Sequence, residues 1–168
     1  YRKLQVEDVK YALTFDIPAL KSAVIPSTLK ISATINDLTN DLILDFNEKK
    51  SNIKLVAINY NSIEVHHENE HLIISKKHLK KGNNIIEISF DAGEMSLNRN
   101  DEFLYTLLVP DRASTLFPCF DQPDIKANYT LTITAPKEWK VLCGAFEKAQ
   151  IEKGDFIEHR FNETDKMS

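Results

Sequence analysis

Apolar and polar residues alternate along much of the chain. Val9, Tyr11, Leu13 and Phe15 occupy every second position, as do Leu29, Ile31, Ala33 and Ile35, and later Tyr129, Leu131 and Ile133. A period of two sends successive side chains to opposite faces, so each run predicts a strand with one buried face and one wet face. Shorter β-branched runs at Leu42 to Phe46, Ile53 to Ile58, Asn84 to Phe90 and Phe156 to Phe161 extend the series. Turn formers punctuate it at Asp16 to Pro18, Asn36 to Asn40, Gly82 to Asn84, Asn98 to Asp101 and Pro136 to Glu138. The pattern gives about eleven short strands and no amphipathic helix, which predicts an all-β fold, a saddle-shaped antiparallel β-sandwich. No repeat, low-complexity tract or linker divides residues 1–168, so they read as one domain.

Composition adds limits. With 168 residues, 42% of them hydrophobic and 27% charged, the chain has the mix of a globular protein that can bury a core. A net charge of -4 and a pI near 5.7 leave no positive field to gather nucleic acid, so no nucleic-acid partner is expected. The one basic cluster, Ser75 to Gly82, reads as a solvated hairpin tip. No run approaches the ~18 apolar residues of a membrane helix. Cys119 and Cys143 lack the clustered spacing of a disulfide scaffold or a metal knuckle. The chain starts without an initiator methionine, which reads as an excised or processed piece and favours an extracytoplasmic location.

His66-His67-Glu68-Asn69-Glu70-His71 contains a literal H-E-x-x-H. That motif holds zinc only on a helix, where residues i and i+4 project from one face about 6 Å apart. On a strand the same pair stands roughly 13 Å apart. The flanks, Ile63 and Val65 before and Leu72 to Ile74 after, are strand-like, so Glu68-Asn69-Glu70 reads as a polar hairpin tip. A third ligand eighteen intervening residues beyond His71 would fall on Phe90, which cannot bind a metal. His78 and His159 stand alone in sequence. No metal is expected in this chain.

The segment from Asp101 to Ala145 carries more. Phe117-Pro118-Cys119-Phe120-Asp121-Gln122-Pro123, followed by a strand and Ala135-Pro136-x-x-Trp139, resembles the N-terminal domain of M1-family zinc aminopeptidases, relatives of aminopeptidase N. The resemblance extends upstream through Val9 to Pro18, Leu42 to Phe46 and Leu97 to Thr106, and so covers nearly the whole chain. It implies a saddle-shaped β domain, with the zinc motif in a following helical catalytic domain that residues 1–168 do not contain. Zinc is then a cofactor of the parent enzyme, and the partners are the parent's own catalytic domain and a peptide substrate. Members continue with a further strand, so the chain reads as an N-terminal fragment cut just before its last strand and inactive alone.

The family carries a polar T-Q-x-E or T-Q-x-Q stretch before the FPC segment, whose last residue helps to hold the substrate's α-amino group. Aligned back from Phe117, those positions fall on Leu107 and Val109, a departure from the pattern. The resemblance therefore places substrate binding on the loop Thr106 to Arg112, at Val109, Pro110 and Asp111, with Asp111 the candidate replacement for the amine anchor. Phe117, Phe120 and the two prolines read as architecture, Asp121 as a cap for backbone amides, and Cys119 as a buried small apolar residue. Ala92 to Ser96 reads as a turn. Two further readings remain: a non-catalytic β module binding peptide or glycan, and a minimal zinc peptidase using His67, Glu68 and His71.

Overall fold

A computed structural model describes residues 1–100 and 102–168. After a four-residue helix, α1 (Arg2–Gln5), the chain forms β1 (Val6–Asp16), β2 (Pro26–Ile35), β3 (Leu42–Asp45), β4 (Ile53–Ile58), β5 (Asn61–Ile63), β6 (His66–Glu68) and β7 (His71–Ile74). It continues through β8 (Gly82–Asp91), β9 (Leu97–Arg99), β10 (Leu104–Thr106), β11 (Ala127–Pro136), β12 (Glu147–Lys153) and β13 (Phe156–Phe161). The all-β expectation holds, with thirteen strands among the described residues.

Eight strands form one sheet in the order β12-β13-β11-β1-β2-β8-β4-β5, and β3-β7-β6 form a second. Pairing is antiparallel except at one seam: β1 and β11 run parallel, from Val9 opposite Ala127 to Asp16 opposite Thr134. Local alternation reports faces and carries no information on the direction of a distant partner, so this pairing was invisible to periodicity.

The alternating positions make the core. Leu29, Ile31, Ala33 and Ile35 of β2 and Ile86 and Ile88 of β8 face Leu42 and Leu44 of β3 and Leu72 and Ile74 of β7, all fully or almost fully buried. Phe46 meets Phe90 edge to face at 5.8 Å between the two sheets. Two-residue turns join β4 to β5 at Asn59-Tyr60 and β6 to β7 at Asn69-Glu70, all four residues at positive φ. Such turns match the twist of the flanking strands.

Several turns fall where expected. Trp139 donates its N–H to Pro136 O at 2.9 Å, and Asn100 Oδ1 accepts the N–H groups of Glu102 and Phe103. Asp101, within one of the expected turns, lies outside the described residues. The basic cluster is not a hairpin tip: Lys76–His78 is a 3₁₀ turn on a connector that carries the chain from β7 in the small sheet to β8 in the large one. Gly82, at φ +87, opens β8 rather than sitting in a separate turn.

Candidate functional site

The H-E-x-x-H segment forms the β6–β7 hairpin, with His67 opposite Leu72 and Glu68 opposite His71. Cross-strand partners share a face, so His67 points with Leu72 into the core while His71 points outward with Glu68. His67 Nε2 lies 2.9 Å from Phe46 O, and its ring packs edge-on against Phe46. His71 Nδ1 lies 3.2 Å from Asp45 Oδ1, close enough for an ion pair but off line for a hydrogen bond. Two imidazoles on opposite faces do not fit one zinc ion. Among the described residues no group of three or more His, Cys, Asp and Glu side chains is gathered to hold a metal.

The Phe117–Pro123 segment is a buried junction. Phe117, Cys119 and Phe120 are all at most 5% exposed. The Tyr11 hydroxyl oxygen accepts Phe120 N–H at 2.9 Å, and Asp121 Oδ2 accepts Ser114 N–H at 2.9 Å, the expected cap. Asp45, which sequence reasoning left inside a strand, is the hub here. Its Oδ2 accepts from Arg2 Nη1 and from Asp121 N–H, and its backbone bridges Cys119. Burial pushes the Cys119 thiol and the Tyr11 hydroxyl well up in pKa, so neither is poised to ionise.

Beside this junction lies an open trough of about 630 Å³. Leu13 and Phe15 of β1 with Leu131 and Ile133 of β11 form its floor; these are alternating positions of the parallel seam, Leu13 buried and the other three half-buried. The segment Leu104 to Asp111 makes one wall and Leu142 to Ala145 another, with Met167 and Ser168 alongside. Tyr129, stacked on Tyr11 at 4.9 Å, lines the trough, and burial pushes its hydroxyl up to about 12.

The expected binding residues meet here. Val109 is 77% exposed, Pro110 follows through a cis peptide bond, and both line the trough with Asp111. Arg112 N–H donates to Leu108 O at 2.9 Å, which folds the loop back on itself, and half-buried Leu108 packs against the core. Among the described residues Asp111 makes no hydrogen bond or ion pair, so its carboxylate is free to meet a ligand. Leu107 is exposed and held by its N–H to Ser96 O. The cis bond and the trough itself had no sequence signal, because both depend on tertiary packing.

The described residues thus form a β domain with a walled, largely apolar trough. The particular family follows from comparison: the Peptidase M1 N-terminal domain matches residues 7–168, so the chain belongs to the M1 peptidase N-terminal domain family. Probable M1 family aminopeptidase 2 of Encephalitozoon cuniculi is 41% identical over 69 residues, 40% of this chain and 8% of that protein. Human glutamyl aminopeptidase is 38% identical over 55 residues, 33% of this chain and 5% of that protein. Among solved structures, the M1 zinc metallopeptidase of Deinococcus radiodurans superposes with a TM-score of 0.74 at 15% identity, over 94% of this chain and 38% of that one. The chain thus spans a minor part of the proteins it matches. Among the described residues no helix is long and apolar enough to cross a membrane.

Proposed function

We propose that this domain is the substrate-side N-terminal domain of a zinc metallo-aminopeptidase that removes N-terminal residues from peptides. The observation that carries the reading is the Asp111 carboxylate, without a partner among the described residues, on the loop walling an apolar trough, in a chain of the M1 N-terminal family. A peptide's free α-amino group is a cation, and a carboxylate meets it with a charge-assisted hydrogen bond. Val109, which cannot accept a hydrogen bond, and Pro110 supply apolar surface beside it. On this reading residues 1–168 hold no zinc and have no activity alone. The ion and the water that it activates belong to the parent's catalytic domain.

Two measurements test the proposal. The dialysed 168-residue chain is expected to contain well under one equivalent of zinc by elemental analysis; close to one tightly held equivalent would overturn it. In the parent enzyme, Asp111→Asn is expected to raise KM for aminoacyl substrates about tenfold with kcat nearly unchanged, the size of one lost charged hydrogen bond. An unchanged KM would remove Asp111 from the site.

A further inference from the structure

The eight-stranded sheet ends on β5 at one margin and on β12 at the other. The β5 margin is blunted by its length, three residues. β12 has seven, Glu147–Lys153, all of them exposed, and among the described residues it pairs with β13 alone. Its outer backbone groups face solvent along the whole strand, the kind of edge that adds another strand. None of these seven residues lines the trough, so the edge is a separate surface.

Charged side chains usually protect such an edge by repelling a second strand. On β12 their order does the opposite. The run Glu-Lys-Ala-Gln-Ile-Glu-Lys is its own complement when a second copy lies antiparallel and centred on Gln150. Lys148 then meets Glu152 of the second copy, Ala149 meets Ile151, and Gln150 meets Gln150. Glu147 meets Lys153 as well, although each already holds contacts in its own chain, Glu147 with His159 and Gln150, Lys153 with Glu158. Lys148 and Glu152 hold none among the described residues, so both charges are free for a partner.

The register is specified by the same charges. Sliding one residue either way sets Glu147 opposite Glu152 or Lys148 opposite Lys153, and parallel pairing in register sets every charge opposite its like. β12 slips by one residue against β13 between Glu147 and Ala149, which puts Lys148 at a bulge. Its long side chain reaches an opposing carboxylate without strict strand geometry. The pairing also brings Ile151, 36% exposed in the single chain, against Ala149 of the second copy.

We infer that β12 is a dimerisation edge: two copies of this chain pair β12 with β12 about a twofold axis at Gln150 and continue the sheet across both.

The test is sedimentation equilibrium of the 168-residue chain at low salt. A strand edge buries little area, so a reversible dimer with Kd of about 10 to 100 μM is expected. Lys148→Glu and Glu152→Lys each set like charges opposite one another and should weaken dimerisation at least about tenfold. Mixed in equal amounts, the two variants present opposite charges at both inner pairs, so a heterodimer of the original affinity should form. The double variant K148E/E152K restores opposite charges within one chain and should dimerise as the parent does. A chain still monomeric at about 300 μM would overturn the inference. So would a dimer indifferent to either single substitution, or failure of both the mixture and the double variant to recover it.

Discussion

Asp45 and Cys119 exchange both backbone hydrogen bonds, N–H to O at 2.7 Å in one direction and 3.0 Å in the other. This short antiparallel bridge ties the end of β3 to the Phe117–Pro123 junction, and through Asp121 to the segment just beyond the Asp111 loop.

The Asp45 carboxylate should therefore count for more than a surface acid. Asp45→Ala removes the acceptor for Arg2 and for Asp121 N–H, and is expected to cost about 2 to 3 kcal/mol in urea unfolding. Asp45→Asn, which keeps an acceptor for the amide, should cost less. Equal losses for the two variants would mean that the amide contact contributes nothing.

Gly93 has no room for a side chain. A Cβ there would stand 1.9 Å from Thr115 O, while Gly93 N–H donates to Leu116 O at 3.0 Å. Gly93→Ala must push the backbone of the Thr115 turn aside, so a loss of at least about 2 kcal/mol is expected. A thermal midpoint within a degree of the parent chain would contradict this packing.

Two of the five tyrosines should titrate late. Tyr129 is held up to about 12 and Tyr11 well above its ordinary value, each chiefly by burial. Folded values above unfolded ones mean that the folded state keeps these protons longer. The stability they contribute is complete below about pH 10 and is lost as the pH rises toward 12. Ultraviolet titration should show a late phase that Tyr129→Phe diminishes; a single transition near pH 10 would refute the assignment.

Acid should loosen the β12–β13 hairpin. The contact with His159, then that with Gln150, lowers the Glu147 pKa; Lys153, then Arg160, lowers that of buried Glu158. Depressed folded values place the stabilisation above the ordinary carboxylate range near ~4.3, and it is lost as the pH falls through the lower folded values. Hairpin amides, corrected for intrinsic exchange, should be less protected at pH 3 than at pH 5, and Glu158→Gln should flatten the difference.

The two thiols should separate cleanly. Cys119 is 2% exposed and its thiol is pushed up by burial, whereas Cys143 is half-buried and lines the open trough. One equivalent of a thiol reagent should react with the native 168-residue chain and two after denaturation. Two equivalents at equal rates in the native chain would show that the junction around Cys119 opens readily.

Much of the fold was legible because its information is local. The alternation at Val9 to Phe15 and Leu29 to Ile35 named the buried faces, and strand flanks rather than the motif itself decided the nature of His67-Glu68-x-x-His71. The substrate loop was reached through family resemblance, since nothing in Val109-Pro110-Asp111 alone marks a binding site. What stayed hidden depends on residues far apart in sequence: the Asp45 hub, the parallel partner of β1, the trough between them, and the connector role of Lys76 to His78.

The parallel seam also sets an order of events during synthesis. β1 lies mid-sheet, yet its partners are made far apart in time: β2 follows at once, whereas β11 does not begin until Ala127. While the intervening polypeptide leaves the ribosome, five strands can assemble with the β1 margin bare. Bare strand margins invite pairing with other chains, and long-range pairing is slow. Nascent chains of this domain therefore pass through a vulnerable window that closes only when β11 arrives, a natural point for chaperone attention.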